Sequence, residues 1–452
     1  MTSATLLPFT IAFVVMTLIG YFIARAFCGQ RFSAGLTWAF AASFGAGTCS
    51  LILFAFRRPM FTVEFGLLAA LSVAWFVRNG MRPPSLSSLM TRRVSIIGLL
   101  LAGGLGWVLA VSFVRIDKMP HGDWDAWAIW NSHSRYLYRD GPAWQDHIQE
   151  TFHADYPLLA PLMTARLWRY AGEDVPDMSG VFGIVFALSG VFLLGAALKE
   201  SRGAVIGLLM ALTLAGTPFY LSHAMNEGAD IPLSIFMLAT IALIVTYFDG
   251  PPDRLGLLAA AGLMAGFAGW TKNEGLVFIL ATAGALLLPV FWKPSATLRG
   301  FAAFAAGLLL PLAVIAFFKV TIAPPSEFTL NRHYAEVLEK ITNPDRYMII
   351  FGNVLKTSWA FGGWVLQPMI PLLAFVGLTG VDRTVLRSRG WLTGGAILMA
   401  VMAGYFAVYV VTPMELQWHL DSSLERLLMH FWPSVLFLAG YVTRVGGEAR
   451  YT

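Results

Sequence analysis

The chain has 452 residues, 57% of them hydrophobic and 13% charged, with a formal net charge of +5 and a mean hydropathy of +0.67. Soluble domains place about a quarter of their residues in Asp, Glu, Lys and Arg, so this composition excludes a soluble globular protein and points to a polytopic membrane protein. The basic balance is scattered between apolar runs, which argues against a nucleic-acid partner. The two cysteines, Cys28 and Cys49, lie at the end of the first apolar run and within the second, where they form neither a disulfide framework nor a metal motif.

At about 20 apolar residues per crossing, the sequence predicts about thirteen spans, near 6–27, 34–55, 61–77, 94–114, 177–198, 203–221, 230–248, 255–271, 275–292, 300–321, 362–381, 391–411 and 427–443. All are expected to be helical, because lipid offers the backbone no hydrogen-bond partners, so the fold class is all-α polytopic. The first run has no basic residue before it and no small-residue cleavage site, and it reads as a retained helix. Arg78, Arg82, Arg92 and Arg93 share one acid-free segment, which the positive-inside rule puts in the cytoplasm. Alternation then places the unusual polar residues outside: Asp123, Asp125, Asp155, His223, Glu227, Asp230, Lys272, Glu274, His333, His419, Asp421 and Arg426.

Two outer segments, near 115–176 and 322–361, are too long to be simple connectors. In the first, Trp127, Trp130, Ser134 and Leu137 recur at helical spacing, as in an amphipathic helix lying in the interface. The stretches 331–340 and 346–361 of the second are expected to do the same.

Several constellations carry potential chemistry. Asp123 and Asp125 diverge by about 200° on a helix but share a face in an extended strand. Each is a candidate general base, or else an interfacial acid capping the helix that follows. Asp155, before Tyr156 and Pro157, poses the same choice between function and helix initiation. His223, Glu227 and Asp230 fall on one face if the segment after Tyr220 is helical. One His with two acids is no specific metal signature, so polar lining of a cavity is preferred, no metal site is assigned, and a divalent cation stays open. Lys272, between apolar runs, needs an anion, and Arg426 poses the same question near the other end of the chain. Both suit phosphate recognition, and an internal ion pair with Glu274 or Glu425 is the competing account. Trp124, Trp127, Trp130 and Trp144 suit an interface belt, with stacking on a sugar the less common alternative.

Gly122-Asp123-Trp124-Asp125-Ala126-Trp127, then Asp140-Gly141, then Asp155-Tyr156-Pro157-Leu158 resembles the C-type integral-membrane glycosyltransferases (GT-C). That superfamily includes protein O-mannosyltransferases and the aminoarabinose transferases of lipid A. The segments Asn226–Pro232, Trp270–Gly275 and Glu425–Leu428 are similar to recurrent segments of its bacterial members. The resemblance implies a GT-C fold over residues 94–443, with residues 1–93 as three added helices and 444–452 as a cytoplasmic tail. It implies an inverting transfer of sugar from a polyprenyl-phosphate donor to a lipid, glycan or protein hydroxyl, at the periplasmic face of a bacterial inner membrane. Asp125 is the implied base, with Asp123 second. Lys272 and Arg426 are the implied phosphate ligands, and Asp155, Tyr156, His223, Glu227, Asp230, Glu274 and His419 the implied substrate contacts. Two features depart from the family: the three preceding spans, and Tyr156-Pro157-Leu158 where many members have a doubled proline. A transporter or flippase is the alternative class, since intramembrane charges also mark substrate pathways.

Overall fold

The computed structural model describes residues 3–29, 32–79, 96–226, 228–250, 254–291, 293–326 and 334–444. Helices α1 (Ser3–Cys28), α2 (Ala34–Ala55) and α3 (Met60–Asn79) come first, and α4 (Ile96–Lys118) leads into the first long connection. That connection is folded: a π turn (Ala126–Trp130) runs into α5 (Asn131–Arg139), a 3-10 turn (Gly141–Ala143) into α6 (Trp144–Ile148), and α7 (Leu159–Ala171) closes it. Next come α8 (Met178–Arg202), α9 (Ala204–Ala215), α10 (Pro218–Met225), α11 (Asp230–Asp249), α12 (Leu255–Thr271), α13 (Glu274–Leu287) with a 3-10 extension, and α14 (Pro294–Thr321). The second connection holds α15 (Tyr334–Thr342) and α16 (Pro344–Ala360), before α17 (Met369–Thr379), α18 (Arg383–Leu386), α19 (Arg389–Val411) and α20 (Leu416–Tyr441). Apart from an isolated bridge between Val381 and Thr443, the described residues contain no β-structure.

Every expected span coincides with helix, although not always with a full crossing. Among the described residues, eight helices are long and apolar enough to cross a membrane: α1, α2, α3, α8, α11, α13 with its extension, α14 and α19. A ninth forms if α9 and α10, bent by 60°, are one broken span. Pro218, at the first position of α10, starts a new helix where its missing N–H costs nothing. The expected span 362–381 shortens because Gly362 and Gly363 take φ of +98° and +69°. Helix then begins only at Met369, and its length of about 16 Å falls short of a hydrocarbon core of about 30 Å.

Helix pairing relies on close backbone approach, as expected where lipid removes the hydrophobic drive between helices. A Cβ on Gly262 of α12 would lie 1.9 Å from the Phe304 carbonyl oxygen of α14, and one on Gly307 would lie 1.8 Å from that of Ala259. Helix α11 runs through the middle, packed on α8, α12, α19 and α20 and buried without interruption from Asp230 to Val245. The N-terminal helices are part of the same bundle, since α1 and α2 both pack on α7 and α12. Arg166 of α7 donates from Nε and Nη2 to the two carboxylate oxygens of Glu64 on α3, at 2.7 Å each, and from Nη1 to the Ala12 carbonyl on α1 at 3.1 Å. The Tyr170 hydroxyl donates to the same carboxylate at 2.7 Å. This pair is fully buried on both sides.

The first connection departs from the expected interfacial helix. The Asn131 N–H bonds the Ala126 carbonyl, five residues back, and this wide turn shifts the stripe. Trp130, Ser134 and Leu137 face inward and are buried, while Trp127 is half exposed. The expected tryptophan belt splits in the same way: Trp124 and Trp127 are exposed, whereas Trp130 and Trp144 are buried, Trp144 beneath the Arg57 guanidinium at 4.8 Å. In the second connection, α15 and α16 do show outward apolar residues, among them Leu338, Met348 and Trp359.

Candidate functional site

At one end of the bundle α12 ends, α11 and α13 begin, and their termini set the charges. Asp230 and Glu274 open α11 and α13, where the helix dipole favours an anion, and Lys272 follows α12, where it favours a cation. Lys272 Nζ donates to Asp230 Oδ1 at 2.7 Å and pairs with Glu274 at 3.0 Å. His430 of α20 donates from Nε2 to Asp230 Oδ1 at 2.8 Å, and its Nδ1 accepts from the Tyr405 hydroxyl of α19 at 3.1 Å. One polar chain thus ties together five helices. Burial alone lowers Lys272, but Asp230 and Glu274 more than offset it and hold the ammonium above the ordinary lysine range.

A second cluster sits beside the first. Asp155 Oδ2 accepts from Asn273 Nδ2 at 2.8 Å, and Asn273 Oδ1 accepts from Lys319 Nζ at 2.7 Å. Lys319 also bonds the Asp155 backbone carbonyl and lies 3.4 Å from its carboxylate. Asp155 is buried and caps nothing, for α7 has no side-chain cap at its N-terminus. The helix-initiation account of Asp155 therefore fails.

The two acids of the loop separate. Asp125, in the first turn after the loop entry, forms an ion pair with Arg426 of α20. Asp123 faces Arg115 of α4 at 3.5 Å, and Arg115 also bonds Asn226. Glu425 is not the partner of Arg426; it accepts from the Gly362 N–H at 3.3 Å.

Asp155, Tyr156, Lys272, Glu274, His419 and Arg426 line a cavity of about 460 Å³. Asp230 supports Lys272 from behind, and Asp125 reaches the cavity through Arg426. The shared face expected for His223, Glu227 and Asp230 does not form, because α10 ends at Met225 before α11 starts at Asp230. His223 instead has its Nδ1 3.1 Å from the Phe219 carbonyl, and Glu227 lies outside the described residues. Burial raises the Tyr156 hydroxyl, keeping it protonated, and lowers His419, keeping it neutral. Tyr156 stacks on His153 with ring centroids 4.7 Å apart.

Sequence reasoning missed Lys319, Asn273, Tyr405, Tyr409 and His430 as site residues. Lys319 alone left a signal, as a lysine inside an apolar run. Among the described residues no group of three His, Cys, Asp or Glu is arranged to hold a metal ion.

Apolar helices enclosing a cavity lined by paired charges make the chain a polytopic membrane protein with an internal polar cavity. Residues 157–318 match the family described as dolichyl-phosphate-mannose-protein mannosyltransferase, which bears out the resemblance over that stretch. It holds His223, Glu227, Asp230, Lys272 and Glu274 and excludes Asp125 and Arg426. The crystal structure of ArnT from Cupriavidus metallidurans bound to undecaprenyl phosphate is similar, with a TM-score of 0.46 and 16% identity over 76% of this chain and 60% of that one. The chain therefore spans about three fifths of the length of that protein. No curated protein sequence matches it.

Proposed function

We propose that the chain is an inverting GT-C membrane glycosyltransferase, moving a sugar from a polyprenyl-phosphate donor to a hydroxyl of a lipid, glycan or protein. One observation carries this reading: the Asp125 carboxylate is held by Arg426 at the wall of a cavity that also presents Lys272. The family match supports the same chemistry, since its description names a polyprenyl-phosphate sugar.

The ion pairs suggest an order of events. Lys272, Lys319 and Arg426 each have a carboxylate partner, so an incoming phosphate must compete for them. Arg426 is the cation best shaped for it, because a guanidinium meets phosphate in a bidentate fork. As phosphate takes Arg426, Asp125 loses its partner and becomes free to act as base. The acceptor oxygen then attacks the anomeric carbon, its proton passes to Asp125, and the sugar–phosphate bond breaks with its electron pair going to the phosphate. Arg426 and Lys272 stabilise the charge that develops there. The phosphate leaves as a stable anion, so no general acid is required.

On this reading residues 94–443 are the catalytic core, 1–93 brace it, and 444–452 are a tail in the cytoplasm. The site belongs on the periplasmic face of a bacterial inner membrane, because the basic segment 78–93 favours the cytoplasm. The test is to incubate purified protein with radiolabelled polyprenyl-phosphate sugars and follow release or transfer of the label. Turnover in the wild type that is lost in Asp125→Asn supports the proposal. Full turnover in Asp125→Asn removes it.

A further inference from the structure

A second cavity, of about 480 Å³, opens on the other side of the first connection and shares none of the charged groups described above. Its walls come from the π turn, α5 and the segment leading to Phe152. Trp127, Tyr136 and Phe152 present aromatic surface, while Arg135, Asp140 and Glu150 supply donors and acceptors between them. Ser132 and Thr151 add hydroxyls.

The polar groups divide into those already held and those left over. Asp140 is fixed by His147, whose Nδ1 lies 2.8 Å away, and Arg139 is fixed by Asp174. Arg135 and Glu150 make no ion pair among the described residues. An unpaired donor and an unpaired acceptor beside flat aromatic surface do not suit an alkyl chain, which would cover them without pairing them. They do not suit a simple anion either, because carboxylates share the walls. They suit a molecule with a C–H face to lay on an aromatic ring and hydroxyls at its rim that both donate and accept. A volume of several hundred Å³ accommodates two or three hexose rings.

The location adds a second argument. Trp127 lies two residues after Asp125, and Thr151 and Phe152 lie just before His153 and Asp155, which line the first cavity. The two cavities therefore meet along one chain segment, 151–156, and Asp125, two residues before Trp127, reaches the first through its pair with Arg426.

We propose that this second cavity is a saccharide subsite, and that it holds the glycan portion of the acceptor. The second half of the statement rests on the function proposed above; the first half does not. Saccharide binding is measured directly by saturation-transfer NMR on the purified protein, using trisaccharides of glucose, mannose and N-acetylglucosamine. Saturable binding of at least one, weakened tenfold or more in both Arg135→Ala and Tyr136→Ala but unchanged in Trp418→Ala, at a residue lining the first cavity, is the expected result. Absence of binding in the wild type, or loss in Trp418→Ala alone, overturns the subsite. So does quenching by brominated lipid that disappears in Trp127→Phe, with no response to sugar, which would make this aromatic surface a membrane contact.

The acceptor role has its own readout. Arg135→Ala is expected to leave donor hydrolysis to water at the wild-type rate while raising KM for a saccharide-bearing acceptor. Equal loss of hydrolysis and transfer overturns that role. Saccharide binding without any turnover of donor by the wild type would instead count against the glycosyltransferase reading and leave the subsite standing. Free oligosaccharide and glycolipid carrying the same sugar are compared as acceptors to distinguish the two sources.

Discussion

Asp123 and Asp125 stand two positions apart and answer to different cations, Arg115 and Arg426. Removing the charge of only one of them should therefore affect chemistry. Asp125→Asn is expected to lower sugar transfer by about 10²- to 10⁴-fold, with Asp123→Asn within a few-fold of wild type, measured as initial rates on matched amounts of protein. Comparable losses in both variants would remove the assignment of Asp125 as base. His133 offers a test of stability. Its Nε2 lies 2.7 Å from the Thr151 hydroxyl and 3.2 Å from the Phe152 carbonyl, while its Nδ1 is buried with no partner among the described residues. Burial lowers it from 6.5 to about 4. Between those values the unfolded chain binds a proton that the folded chain does not, so stability falls as pH drops through the window, by up to about 1.4 kcal/mol per pH unit. Tm in detergent should decline from pH 7 to pH 4.5, and less steeply in His133→Gln, which keeps a donor near the position of Nε2. Parallel curves for the two proteins would exclude His133 as the cause.

At the scale of elements, the buried Glu64–Arg166 pair fastens α3 to α7. Removing one partner strands a charge, so Glu64→Gln should cost about 3–5 kcal/mol, whereas replacing both residues by methionine should recover much of it. Thermal unfolding of the three purified proteins measures this, and additive losses would refute the clip. The helices themselves were legible in the sequence, because lipid permits little else and about 20 apolar residues mark each crossing. Their interruptions were not. The bend at Pro218 and the start of α17 at Met369 depend on local backbone geometry that a hydropathy window averages away. The π turn was invisible for a related reason: one inserted residue moves Trp127 off the stripe without changing composition. Within the site, Asp155, Tyr156, Lys272, Glu274, His419 and Arg426, expected from the sequence as phosphate or substrate contacts, line one cavity. Their pairings were not legible, since Asp230–Lys272 and Asp155–Lys319 join residues 42 and 164 positions apart. Lys319 stands out as a lysine inside an apolar run, but nothing local to α14 ties it to Asp155, its partner 164 positions away.

For the whole molecule, cysteine labelling reads the sidedness proposed above directly. Both native cysteines are buried, so the chain is already nearly silent to membrane-impermeant maleimides. Asp146→Cys on α6 and Arg387→Cys after α18 occupy exposed positions. In intact spheroplasts Asp146→Cys should label at once, and Arg387→Cys only after permeabilisation. The reverse pattern would turn the bundle over and put the cavity on the cytoplasmic face.

The Asp125–Arg426 pair spans 301 positions of chain, and this separation governs when the site comes into being. A ribosome adds about 5–20 residues per second, so roughly fifteen seconds or more pass between synthesis of Asp125 and synthesis of Arg426. Lys272 and Asp230, only 42 positions apart, are both present long before then. Synthesis order alone lets those two meet before α19 and α20 exist, whereas Asp125 meets its partner only once α20 has been made. Until that moment Asp125 has no Arg426 to pair with, and on the function proposed above the site is therefore the last part of the molecule to be completed.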